Sequence, residues 1–199
     1  MPAQPSQLLW INLVTSVALT LPLAFEVIEP DAMRRPPRVP GAPTFGSFVI
    51  IRTVLVALLM AGGAIGMFLW EYWTEVGRVG HDHALREAQT QAVTTMVLFQ
   101  VFYLFKCRSL RASAFRLGFF SNSTIFIGVG LLLLLQAAFI YLPFMQAVFG
   151  TASLQPTALL FAALVASVVL PVISIEKALR QRREPRPAAA NLREHAARS

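Results

Sequence analysis

Five long apolar blocks, parted by short polar stretches, restrict this chain to one kind of architecture. A helix needs about 20 mostly apolar residues to cross the hydrocarbon of a bilayer, at a rise of about 1.5 Å per residue. The blocks run from about Leu8 to Phe25, Phe48 to Trp70, Thr90 to Phe105, Ile125 to Phe144 and Leu159 to Ile175. The third is the shortest and is polar at its start. The fourth holds the run Leu131 to Leu135, and the fifth carries Pro171 near its end. The expected fold is therefore all-α: a polytopic membrane protein, a bundle of about five transmembrane helices.

Composition supports this reading. Of 199 residues, 56% are hydrophobic and 14% charged, against roughly 45–50% and about 25% in soluble globular domains. A net charge of +7 raises the question of nucleic acid. However, the Lys and Arg residues sit at block ends and in the tail, not on one basic face interleaved with stacking aromatics, so no nucleic-acid partner is expected. Cys107 is the sole cysteine and cannot form an internal disulfide. Met1 to Gln7 carries no Lys or Arg, so no cleavable signal peptide is expected.

The basic residues alternate between loops. Arg34, Arg35 and Arg38 follow the first block, with Arg52 just inside the second, where it is expected to snorkel to the interface. Lys106, Arg108, Arg111 and Arg116 follow the third block, and seven Lys or Arg residues from Lys177 to Arg198 follow the fifth. The stretch between blocks two and three has only Arg78 and Arg86, and that between four and five has none. The positive-inside rule then puts the N-terminus outside and the C-terminus in the cytoplasm, with the plasma membrane as the expected setting. Trp70, Tyr72 and Trp73, and likewise Tyr141, are placed for the headgroup level. The expected organisation is a membrane domain over 1–183 and a flexible basic cytoplasmic tail over 184–199. An N-terminus outside with no signal peptide suggests a piece whose preceding helix has been removed.

In the first block Asn12, Thr15 and Ser16 stand at i, i+3 and i+4, one helical face, and Thr20 continues the stripe. Leu13 and Val17 are expected on the opposite, packing side. Oxygen ligands of this kind replace the water of a dehydrated hard cation, and polar groups at membrane depth tend to face the bundle interior. The competing reading is interhelical hydrogen-bond glue. Pro22 removes a backbone donor in the same helix and frees carbonyls in the preceding turn.

Gln7 to Pro40 reads QLLWINLVTSVALTLPLAFEVIEPDAMRRPPRVP. Two signatures in it, Trp10-x-Asn12-Leu13-Val14-Thr15 and Glu29-Pro30-Asp31-x-Met33-x-Arg35-Pro36-Pro37-Arg38, closely resemble the sixth membrane helix and following cytoplasmic loop of P-type cation-transporting ATPases of the calcium and sodium/potassium pump type. The resemblance implies a ten-helix pump, of which this chain is helices six to ten. It implies that Asn12 and Thr15 give oxygens to the transport site. At the next position calcium and sodium/potassium pumps carry Asp, whereas this chain has Ser16, which removes a formal charge and puts calcium coordination in doubt. Gln100, between Phe99 and Phe102, lies where the eighth helix of the family places a Glu or Gln ligand. Interhelical bonding is the competing reading for Gln100, and the reading taken outright for Thr94 and Thr95. Glu29, Asp31, Arg35, Pro36, Pro37 and Arg38 fall in the loop that couples to the cytoplasmic domains, and repeated prolines stiffen it.

Two other groups look metal-like and are read otherwise. Glu26, Glu29 and Asp31 belong to the coupling loop. His81-Asp82-His83 is adjacent in sequence, cannot converge easily on one ion, and is expected in a solvated loop. No other metal is expected beyond the transported cation. The chain has no Asp-Lys-Thr-Gly-Thr phosphorylation sequence, no Thr-Gly-Glu dephosphorylation loop and no Gly-x-x-x-x-Gly-Lys loop. No catalytic activity or cofactor is therefore expected in this chain alone; Mg-ATP would be used by cytoplasmic domains elsewhere in the pump. The expected partners are the lipid bilayer, the transported cation and the remaining helices and domains of the pump. The alternative function is a stand-alone or truncated membrane interaction or regulatory protein that has lost transport.

Overall fold

A computed structural model describes residues 1–24, 47–111 and 123–183. These form seven helices: α1 (Pro5–Ala24), α2 (Ser47–Val79), α3 (His81–Arg111), α4 (Ser123–Tyr141), α5 (Pro143–Phe149), α6 (Pro156–Ser167) and α7 (Val169–Arg183). No strand occurs among the described residues, so the all-α membrane bundle holds. The coupling-loop residues Glu29, Asp31, Arg35, Pro36, Pro37 and Arg38, and the tail over 184–199, lie outside the described residues.

The elements depart from the expected blocks in ways that side-chain chemistry explains. By length and composition, Val49–Val79 and Pro156–Glu176 are apolar enough to cross a membrane, and Ile125–Tyr141 with Pro143–Phe149 adds a third if that bent pair is one span. α1 and α3 occupy the positions of the other two expected spans. α3 is more polar because it sits at the centre of the bundle, packing on α1, α2, α4, α6 and α7. Gln89, Thr90, Gln91, Thr94 and Thr95 on it are all buried, facing protein instead of lipid. α3 also begins well before Thr90: His81, Asp82 and His83 are its first turn and not a loop, reached through Gly80 at φ +85°.

The fourth block breaks before Phe144. Pro143 has no N–H to give the carbonyl of Phe139, and its ring clashes with that turn. The Thr151 hydroxyl donates to this carbonyl instead, at 2.9 Å, and the Gln146 amide caps the next one, Ile140 O, at 2.7 Å. The chain turns by 79° into α5, which ends at Gly150 in the left-handed region, φ 64°. The fifth block is likewise two helices. Pro171 leaves the carbonyl of Ser167 without its i+4 donor, and the break falls at Val168.

α1, α3 and α4 share one apolar cluster built from Ile11, Val14, Ala18, Val97, Val101, Leu132 and Phe139. Trp10 stacks on Phe139 at 5.7 Å between ring centroids. A second cluster joins Phe99 of α3 to Ala166, Val169 and Ile173. With lipid as apolar as these side chains, close fit and hydrogen bonds hold the helices together in place of water exclusion.

Candidate functional site

α1 has two unlike halves. Ile11, Val14, Thr15 and Ala18 are buried against the bundle, while Leu8, Leu9, Asn12, Leu13, Ser16, Val17 and Thr20 are exposed. At about 100° per residue the exposed set covers roughly half of the helix circumference, with Asn12, Ser16 and Thr20 near its middle. Leu13 and Val17, at 62% and 49% exposed, lie on this open half and not on the packing side that the sequence pattern suggested. The packing positions are one residue further round.

The predicted trio is divided. The Ser16 hydroxyl lies 3.5 Å from Asn12 Oδ1, so these two oxygens stand together on the open face. Thr20 Oγ donates to the Ser16 carbonyl. Thr15 is turned to the packed side, 8% exposed, and its hydroxyl donates to the Ile11 carbonyl at 2.7 Å. This back-bond leaves Thr15 Oγ with lone pairs to offer but no free proton.

Gln100 is half-buried on α3, one turn beyond Met96, which packs against the α1–α3–α4 cluster. Gln4 Nε2 donates to Gln89 Oε1 at 3.3 Å, which fixes the level of α1 against α3. Both helices run away from that level. At a rise of about 1.5 Å per residue, Asn12 comes about 12 Å, Gln100 about 16 Å and Ser16 about 18 Å along the helices from it. Gln100 therefore lies at the depth of the α1 oxygens, on the neighbouring helix.

A polar seam through the bundle had little signal in the sequence. Gln136 Nε2 donates to Thr94 Oγ at 3.0 Å, and Thr94 Oγ to the Thr90 carbonyl at 2.7 Å. Thr90 Oγ accepts from the Ala152 N–H at 3.0 Å. Gln91 Nε2 donates to the Ala158 carbonyl at 2.7 Å, and Thr95 Oγ to the Gln91 carbonyl at 2.8 Å. Thr94 and Thr95 thus act as interhelical and intrahelical bonding groups. At the same end of the bundle Gln7 Nε2 holds the Phe149 carbonyl at 3.1 Å. The i, i+4 spacing of Thr90 and Thr94, and of Gln91 and Thr95, was the available clue.

A charged cluster stands beside the Gly80 turn. Arg78 Nη1 pairs with Glu75 at 3.0 Å, and His83 Nδ1 lies 3.4 Å from Glu87. A cavity of about 190 Å³ there is lined by Glu71, Thr74, Glu75, Arg78, Gln155 and Thr157, among others. Burial raises the Glu87 carboxyl above the usual carboxylate range, against the pull of His83. No group of three or more His, Cys, Asp or Glu suited to a metal ion occurs among the described residues. Taking the second block to end at Trp70 hid this cluster; the helix continues to Val79 and brings Glu71, Glu75 and Arg78 into register. At the opposite end Arg52 lies over the Tyr103 ring at 6.0 Å, and Lys106 Nζ donates to Ser174 Oγ at 2.5 Å.

Comparison with known proteins identifies the setting of these residues. The family model described as "Cation transporting ATPase, C-terminus" matches residues 1–179. The probable cation-transporting ATPase F of Mycobacterium tuberculosis is 43% identical over 155 residues, which is 78% of this chain and 16% of that protein. The calcium-transporting ATPase type 2C member 2 of Mus musculus is 33% identical over 168 residues, 84% of this chain and 17% of that protein. The cation-transporting ATPase pma1 of Synechocystis is 33% identical over 163 residues, 78% of this chain and 17% of that protein. The chain thus spans about one-sixth of the length of these relatives, at 16–17%. With a membrane bundle of the expected kind and a match over residues 1–179, the chain belongs to the P-type cation-transporting ATPases, as their C-terminal membrane domain.

Proposed function

We propose that this domain works within an ATP-driven cation pump, and that its α1 supplies oxygens to the ion path. The observation that carries the reading is the open half of α1. Asn12 and Ser16 share a face that no helix among the described residues covers, while the opposite face is packed. A carboxamide and a hydroxyl are costly against lipid chains, so helices of the same pump cover them. In that arrangement Asn12 Oδ1 and Ser16 Oγ face the transported cation, with Gln100 at similar depth. Thr15 contributes from the border of the packed side, through the lone pairs of Oγ.

The set carries no formal charge. It suits a monovalent ion, or a site whose charge comes from other helices of the pump. The domain extends over residues 1–183 with a basic tail over 184–199, and the loop holding Glu29, Asp31 and Arg35–Arg38 couples it to cytoplasmic domains that use Mg-ATP. The C-terminus lies in the cytoplasm and the pump in the plasma membrane. What supports this orientation is the alternation of Arg and Lys between loops.

The test is ion-dependent ATPase activity of the intact reconstituted pump. Asn12→Ala is expected to weaken ion-stimulated turnover, and Ser16→Asp to shift selectivity toward divalent ions by adding a full charge and harder oxygens. If both variants stay folded and leave the ion dependence unchanged, the α1 oxygens serve packing and the reading is wrong.

A further inference from the structure

We infer that α5 lies in the membrane interface on the Gly80 side of the bundle, with Leu142, Phe144 and Val148 set against lipid. Three independent observations carry this. First, α4 by itself is about as long as the hydrocarbon is thick. Its 19 residues span about 28 Å, close to the roughly 30 Å of hydrocarbon. The 79° turn at Leu142 therefore falls where the hydrocarbon ends, and lays α5 nearly along the bilayer plane.

Second, the chemistry of the segment is wrong for water. From Ile125 to Ile175 there is no Asp, Glu, Lys, Arg or His. An aqueous loop on a membrane protein has no reason to be uncharged and apolar at once. Leu142 is 50% exposed, Phe144 72% and Val148 55%. A connection flanked by two apolar helices is held within reach of lipid at both ends.

Third, α5 is anchored by its inner side, so its outer side cannot roll inward. Phe149 packs on Trp10 and Phe139 at 5.2 and 5.4 Å between centroids. Gln146 holds the Ile140 carbonyl, and Gln7 holds that of Phe149. The Tyr141 hydroxyl reaches back to the Leu154 carbonyl at 3.1 Å, closing the turn. With the Ile140 and Phe149 carbonyls bonded within the chain, the exposed side chains of α5 are apolar, and a bilayer is the partner that covers them.

Spin-label accessibility in the intact protein, reconstituted into phosphatidylcholine vesicles on a Cys107→Ala background, tests this. Labels go on Phe144→Cys and Val148→Cys, with Leu134→Cys on α4 as the lipid reference and Asp82→Cys as the aqueous one. The ratio of oxygen to nickel-chelate accessibility at 144 and 148 is expected to be several-fold above that at 82. A ratio equal to that at 82 overturns the proposal. So do immobilised spectra with little access to either reagent, which would mean a second copy or another protein covers the face. Phe144→Trp quenched by brominated lipid gives the same comparison without a label, with absence of quenching counting against it.

Discussion

Of the glycines in α2, Gly63 is the one set against neighbouring side chains, and replacing it with alanine tests the packing directly. A Cβ built at Gly63 falls 2.6 Å from Phe99 Cε2, 3.0 Å from Phe99 Cζ and 3.2 Å from Val165 Cγ1. Phe99 is 3% exposed and packed among Ala166, Val169 and Ile173, so the ring has no free space to retreat into. Overpacking of this kind costs about 1–3 kcal/mol. Alanine gains up to about 1 kcal/mol over glycine in a helix, which offsets part of that. From a mid-range overpacking cost of about 2 kcal/mol, less a helix gain of up to about 1, the net loss is about 1–2 kcal/mol, or a fall in thermal midpoint of roughly 2–8 °C for a chain of this size. The controls lie one position before and three after. At Gly62 and Gly66 an added Cβ meets nothing within 4 Å, so Gly62→Ala and Gly66→Ala should hold the midpoint or raise it. The assay is thermal unfolding of the purified protein in detergent, followed by the loss of the monodisperse peak. If Gly63→Ala melts with Gly66→Ala, the helices do not approach as described, and the reasoning from small-residue contact fails.

Two further outcomes are expected from the same assay. Gln136→Leu removes the amide that donates to Thr94, and should lower stability by about 0.6–1.7 kcal/mol, the range for hydrogen bonds between membrane helices; an unchanged midpoint would show that the seam is dispensable. Glu87, raised by burial, is favoured in its protonated form in the folded state, so its contribution is full below the ordinary Glu value of about 4.3 and is lost as pH climbs through the raised one. Stability should therefore decline with rising pH across that window, and Glu87→Gln should flatten the slope; an identical slope in the variant refutes the assignment.

The sequence by itself determined the class of this protein. Runs of apolar residues admit a membrane bundle and little else, because backbone amides in hydrocarbon must bond within their own helix. The run from Trp10 to Thr15 and the Pro-rich stretch after Glu29 carried the family. Breaks at Pro143 and Pro171 were legible in principle, since each removes a donor, although their directions were not. What the sequence left open depended on which helix lies beside which. Thr15 shares a helical face with Asn12 by spacing, yet the helices packed on α1 decide that Thr15 is buried and Asn12 open. Leu13 and Val17 read as packing residues until the neighbours of α1 were known. The third block read as the shortest and as polar at its start, and tertiary structure gives the reason by placing α3 at the centre. There Gln91, Thr94 and Thr95 meet partners on α6, on α4 and along α3 itself. Periodicity tells which residues share a side of a helix. Only the packed bundle tells whether that side meets protein, lipid or the ion path.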